Sequence, residues 1–138
     1  MRRAWNQVYV HFIWATWDRL PLLTEPLRTR VYQAILAKCE ALGSSVEAIG
    51  GIDDHVHLLV NLPATLSPAT LIKEVKGASS HLATHELQTD AFFKWQGAYG
   101  AVTITPSHRF YVVNYIRNQK EHHEKGQTDK SLETITEE

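Results

Sequence analysis

One cysteine, Cys39, stands among 138 residues. A single thiol excludes an internal disulfide and any zinc site built from two or more cysteines of one chain. Long apolar runs are also missing. Nothing approaches the ~20 consecutive apolar residues of a membrane span, so the expectation is a cytoplasmic protein with no membrane role. The stretch MRRAWNQVYVHFIWATWD has two arginines followed by apolar residues. Asn6, Gln7 and His11 interrupt it and no small-residue cleavage site follows, which makes it a poor signal peptide. There is no internal repeat, low-complexity tract or interdomain linker. An excess of one charge is lacking as well: 14 Lys and Arg against 15 Asp and Glu give a formal net charge of −1. That balance argues against a protein that coats nucleic acid by bulk charge.

The composition that remains, 43% hydrophobic and 21% charged, is that of an ordinary globular domain long enough to bury a core. The charge is unevenly spread. Residues 121–138 hold six acids and two bases, whereas residues 1–120 hold twelve bases and nine acids. From Gly126 the sequence GQTDKSLETITEE lacks a sustained apolar stripe. The expected organisation is therefore a domain over residues 1–125 and an acidic, loosely ordered tail over residues 126–138.

Residues 8–14 alternate, with Val8, Val10, Phe12 and Trp14 on one side and Tyr9, His11 and Ile13 on the other, as in a strand with two unequal faces. Thr24 can cap a helix with Pro26 in its first turn, whose stripe is Leu27, Val31, Ala34, Ile35, Cys39 and Leu42, ending at Gly43. Residues 45–50 and 55–61 read as strands joined by the turn Gly51-Ile52-Asp53-Asp54. Ser67-Pro68 starts a second helix, with Leu71, Ile72, Val75, Ala78 and Leu82 inward. Residues 99–104 predict a fourth strand, and Thr105-Pro106 opens a helix reaching His122 or His123. The order β-α-β-β-α-β-α predicts an α+β, ferredoxin-like (RRM-like) fold. This is an antiparallel four-stranded sheet with both crossover helices on one face. The last helix is left to pack on the other face or beside a partner.

Chemistry concentrates in Asp54-His55-Val56-His57-Leu58-Leu59-Val60. Period two puts His55, His57 and Leu59 on one face and Val56, Leu58 and Val60 on the other. The imidazoles then stand about 7 Å apart along the strand, close enough to reach one cation. The same pair also reads as two surface or half-buried histidines. On the last helix Tyr115 and Gln119 are four residues apart and share a face. A tyrosine, with an ordinary pKa of about 10, is a weak nucleophile near neutral pH, and a divalent cation that polarises a phosphate helps it. The other reading is a plain amphipathic helix with Tyr115 packed and Gln119 solvated.

Taken together, a ferredoxin-like chain of this length with His-hydrophobe-His on its third strand and Tyr-x-x-x-Gln on a C-terminal helix resembles a known family. It is similar to the IS200/IS605-type single-tyrosine transposases of bacterial insertion sequences, within the HUH nuclease group. The resemblance spans about residues 5–125 and includes Trp95-Gln96-Gly97-Ala98-Tyr99-Gly100 and Lys76-Gly77. It implies His55, His57 and Gln119 as ligands of Mg²⁺ or Mn²⁺ and Tyr115 as the nucleophile. It also implies a 5′-phosphotyrosine intermediate in single-stranded DNA, with hairpin ends as the bound DNA. The expected assembly is a homodimer whose sites are completed in cis or in trans. Thr105-Pro106-Ser107 contains no glycine to free the tyrosine helix for exchange between subunits, though a fixed trans arrangement is compatible with it. Asn118-Gln119-Lys120 stands where REP-associated transposases tend to carry His-Asn-Pro, which favours the insertion-sequence branch.

Tyr111 is a rival nucleophile one turn before Tyr115. His122 and His123 read as a helix end suited to the C-terminal dipole or as further site residues. Asp53 and Asp54 read as turn residues or as metal partners. Arg2, Arg3, Lys73, Lys76, Arg109, Arg117 and Lys120 are the phosphate-contact candidates, and Trp95 and Tyr99 are either base-stacking platforms or packing. Trp5, Trp14 and Trp17 read as core or dimer contacts. Two rival functions stay open: a catalytically inert nucleic-acid-binding module, and a metal-dependent phosphoesterase that uses water.

Overall fold

Val10, Phe12 and Trp14 project to one face of β1 (Tyr9–Ala15) and Tyr9, His11 and Ile13 to the other, and every residue of the strand is buried. Burial on both faces follows from its place in the sheet. The strand order is β2-β3-β1-β4, with β2 at Ser45–Gly51, β3 at His55–Asn61 and β4 at Gly100–Ile104. All pairings are antiparallel. The structure is a computed structural model and describes residues 5–87 and 91–136. Arg2 and Arg3 lie outside the described residues. The helices are α1 (Leu27–Ala41), α2 (Pro68–His81), α3 (Arg109–Arg117), α4 (Gln119–Glu124) and α5 (Lys130–Glu133). Element order and sheet order together make the expected ferredoxin-like α+β fold, with three further helices.

Val10, Phe12, Trp14, Val56, Leu58 and Val60 meet Val31, Ile35 and Cys39 of α1 and Leu71, Ile72 and Val75 of α2 in one apolar layer. Each large side chain fully buried there contributes about 1.5–3 kcal/mol. Across the sheet, Tyr9 and Leu59 pack with Val112 and Ile116 of α3 and with Leu132. The final helices therefore cover the face that the crossovers leave free. Gly50 is what lets α3 come so close, since a Cβ there would lie 2.5 Å from the Ile116 carbonyl oxygen.

Local chemistry departs from the sequence reading in several places. Glu25, rather than Thr24, caps α1 with its side chain: the carboxylate accepts the Thr29 backbone N–H at 2.8 Å. At the next helix Ser67 Oγ accepts the Thr70 N–H at 3.1 Å, with Pro68 first in α2. The segment after Thr105 is not one helix. It begins as a 3₁₀ turn over Pro106–His108 and breaks at Asn118, whose φ −109° and ψ 28° leave the helical region. The Asn118 side-chain amide donates to the Asn114 carbonyl at 2.8 Å, a local bond that competes with helix continuation.

The tail is also a correction. Within the segment expected to be loosely ordered, Lys130–Glu133 forms α5, buries Leu132 to 2% exposure and packs against β1 and β4. Its Thr134 carbonyl oxygen would be 2.1 Å from a Cβ at position 100, so only glycine admits it there. One buried leucine anchors the segment, and a single apolar residue gives no periodic signal.

Trp95 and Tyr99 are packing residues. Trp95 is 7% exposed, meets Trp14 edge-on at 5.8 Å between ring centroids and donates its Nε1–H to Ser79 Oγ at 3.0 Å. Tyr99 packs beside Phe12. Trp14 is core as expected, whereas Trp5 and Trp17 are exposed.

Candidate active site

β3 and α3 supply the central groups. His55 and His57 are fully buried, with ring centroids 4.9 Å apart. Tyr115, on α3, stands edge-on to His57 at 5.8 Å, in the same chain. Gln119, the first residue of α4, keeps its place one turn beyond Tyr115 despite the break, because its Nε2 donates to the Tyr115 carbonyl at 3.3 Å. His55, His57, Tyr115 and Gln119 are thus brought together by one chain, on the sheet face that α3 covers.

Each histidine has an orienting partner. His55 Nδ1 is 2.7 Å from Asp54 Oδ1, and His57 Nδ1 is 2.8 Å from Nε2 of His11. Asp54, read from sequence mainly as a turn residue, is held below the usual carboxylate range by its hydrogen bond with His55. With its Nδ1–H given to Asp54, His55 turns a bare Nε2 toward Gln119 Oε1 at 3.0 Å. Two lone pairs then face each other unless a proton or a cation lies between them. His123 Nε2 is 3.1 Å from the same Gln119 oxygen, and the His122 ring stacks on Tyr115 at 4.8 Å. Both belong to the site instead of forming a solvated helix end.

Glu133 of α5 enters the middle of this group. Its Oε1 is 3.1 Å from His57 Nε2 and 3.5 Å from His55 Nε2. Its Oε2 accepts the Tyr115 hydroxyl proton. His55, His57 and Glu133 each offer a ligand atom within 4.8 Å of the others, a donor set able to hold a metal ion. Burial alone would raise the Glu133 pKa, but His57, Tyr115 and His55 hold it down at about 2. Burial, reinforced by that carboxylate, pushes the Tyr115 hydroxyl up to about 12. At that value about one Tyr115 in 10⁵ is a phenolate at pH 7. Burial also lowers the pKa of His57, and it lowers that of His11 to about 3.

The remaining sequence candidates divide. Tyr111 is 48% exposed and bonds Asp129 at 2.9 Å, apart from the histidines. Lys73, Arg117 and Lys120 are exposed. Arg109 is occupied with the Tyr9 hydroxyl at 2.5 Å and with Glu47 at 3.9 Å. Lys76 is half-buried and donates to the carbonyls of Gln96 and Ala98, so it pins a loop instead of facing solvent. Glu133 and His11 were not identified from sequence. His11 shares the alternation of β1 but meets His57 only through strand register, and Glu133 lies in a segment without periodicity. A cleft of about 1150 Å³ beside α5 brings Arg19 and Lys130 to one wall system, two cations also not singled out. No helix among the described residues is long and apolar enough to cross a membrane.

No curated protein matches this chain. Among solved structures, a protein assigned as a transposase from Deinococcus radiodurans R1 superposes with a TM-score of 0.65 at 24% identity, covering 86% of this chain and 96% of its own. A REP-associated tyrosine transposase bound to a REP hairpin superposes with a TM-score of 0.66 at 17% identity, covering 93% and 74%. Those likenesses speak for the fold. The family profile described as "Transposase IS200 like" matches residues 4–119, most of the chain, including His55, His57, Tyr115 and Gln119, and on that match the protein belongs to the IS200-like transposases, enzymes that work through a single tyrosine.

Proposed function

We propose that this protein cuts and rejoins single-stranded DNA, with a divalent cation bound, through a 5′-phosphotyrosine on Tyr115. The observation that carries the reading is the convergence of the Tyr115 hydroxyl and both buried histidines on one carboxylate. A nucleophile and a cation seat with that spacing fit the two sides of one phosphate group.

His55 and His57 through Nε2, with Gln119 through Oε1, would hold Mg²⁺ or Mn²⁺. When bound, the ion polarises the scissile phosphate and offsets charge on the leaving oxygen. The bare Nε2 facing the Gln119 oxygen is the local feature that fits a cation. Tyr115 then forms a bond from its oxygen to phosphorus and gives up its hydroxyl proton. The bond from phosphorus to the 3′ oxygen breaks, and that oxygen takes a proton to leave as a 3′-hydroxyl. A second 3′-hydroxyl reverses the step and frees the tyrosine, so strands are joined without external energy. Tyr115 is 3% exposed, and Glu133 occupies the space a phosphate needs. Residues 127–136 withdraw before DNA engages.

Exposed Arg19, Lys73, Arg117 and Lys120 make phosphate contacts along the incoming strand; Arg2, Arg3 and, once released from Glu47, Arg109 complete the set. The bound DNA carries hairpin ends, a reading supported by the related transposase bound to a REP hairpin. The assembly is a homodimer, the compartment the cytoplasm, and residues 1–125 form the catalytic domain with residues 126–138 as its acidic appendage.

The test is a denaturing gel of labelled single-stranded hairpin DNA incubated with the protein and Mn²⁺. A covalent adduct, absent in Tyr115→Phe, is the expected result. Cleavage that survives Tyr115→Phe would assign a phosphoesterase that uses water, and binding without cleavage an inert module.

A further inference from the structure

His11 is a polar side chain at 1% exposure in the central strand, at a position where an apolar residue would pack as well. Its neighbours along that face of β1 are Tyr9 and Ile13. It is placed diagonally to His57: the register sets Ile13 opposite His57 and His11 opposite Leu59. The two imidazole centroids are 5.1 Å apart, and His11 Nε2 lies 2.8 Å from His57 Nδ1. A contact so short requires one proton between those nitrogens, neither two nor none.

We propose that His11 is the positioning residue for His57, accepting the His57 Nδ1 proton so that the His57 Nε2 lone pair is free for a cation. The inference rests on the cation site of the proposed function and adds a residue to it.

Two proton arrangements satisfy the pair. With Glu133 seated, His57 Nε2–H donates to Glu133 Oε1 at 3.1 Å, so His57 Nδ1 accepts and His11 Nε2–H donates. With a cation on His57 Nε2, that nitrogen carries no proton, His57 Nδ1–H donates and His11 Nε2 accepts. Each ring keeps one proton in both arrangements; only the tautomers differ, and no net proton is gained or lost.

The contrast with the other histidine explains the choice of residue. Asp54 carboxylate only accepts, so it holds His55 in one tautomer. A carboxylate at position 11 would do the same to His57 and would put an anion in an apolar strand. A hydrophobic residue would leave the His57 Nδ1–H buried and unpaired whenever the cation is bound. Imidazole alone among the common side chains changes from donor to acceptor at the same nitrogen without changing charge.

The experiment uses the full chain and the cation alone. Imidazole ¹⁵N spectra of the wild-type protein report which nitrogen of His57 carries the proton, and Mg²⁺ is expected to move it from Nε2 to Nδ1. Mn²⁺ titration followed by electron paramagnetic resonance is expected to show affinity falling about 10–100-fold in His11→Leu, the scale of other outer partners of metal-bound histidines. His11→Gln, which keeps both a donor and an acceptor, is expected to recover most of that loss. Unchanged Mn²⁺ affinity in folded His11→Leu overturns the proposal, as does Mg²⁺ binding to wild type with the His57 proton left on Nε2. A wild-type protein that binds neither ion removes the cation site itself, a failure of the underlying reading that is distinct from a failure of His11.

Discussion

The Tyr115 hydroxyl donates its proton to the carboxylate of Glu133, eighteen residues further along the chain. The other oxygen of the same carboxylate faces His57 and His55. One side chain therefore ties Tyr115 to the histidine pair, and α5 is held there by Leu132 beneath it and Gly100 beside it.

Loosening that segment is expected to raise activity. Leu132→Ala removes its only buried apolar anchor in α5, a change that costs about 2–5 kcal/mol for a fully buried leucine, and Gly100→Ala places a methyl against the Thr134 carbonyl. Initial rates of adduct formation should rise in both variants and in Glu133→Gln. A fall in all three would make Glu133 a required ligand instead of an obstruction.

Gly50→Ala should push α3 off β2. Its Cβ meets backbone at Ile116, which cannot rotate away, so a loss of about 1–3 kcal/mol is expected in urea unfolding. Because Tyr115 precedes Ile116, adduct formation should fall further than the lost stability explains. Equal activity per folded molecule would show that the placement of α3 is not limiting.

Acid should destabilise the fold through its histidines. The folded-state pKa values of His11 and His57 lie below the unfolded value of 6.5, that of His11 at about 3. Between those limits the unfolded chain binds more protons, so stability is fully present above about pH 6.5 and drains as pH falls toward 3. Each group contributes a slope of about 1.4 kcal/mol per pH unit at most. Urea midpoints measured from pH 7.5 to 4.5 without added metal should decline, and less steeply in His11→Gln. Glu133 acts lower: its folded pKa of about 2 keeps its contribution intact above about pH 4.5, and that contribution is lost as pH falls through 2.

Much of this arrangement was legible in advance where it follows from a period. Alternation on β3 places His55 and His57 together, and the helical repeat places Tyr115 above Gln119. The first survives because it is set within one strand; the second survives the break at Asn118 because Gln119 Nε2 still bonds the Tyr115 carbonyl. What escaped the sequence depends on contacts between elements. His11 reaches His57 across a strand register that no local pattern encodes. Glu133 is positioned by one leucine and one glycine more than thirty residues apart. Lys76 looked like a free cation on a polar helix face, but its stem carries the ammonium to the carbonyls of Gln96 and Ala98.

Only a 3₁₀ turn over Pro106–His108, with one residue on its β4 side, connects the sheet to the tyrosine helix. That short joint has a genetic consequence. With Tyr115 and His57 drawn from the same chain, an allele encoding Tyr115→Phe and another encoding His57→Ala should fail to complement when co-expressed, since no mixed pair contains an intact set. Restored adduct formation in the mixture would mean that the helix changes hands between copies, joint and all.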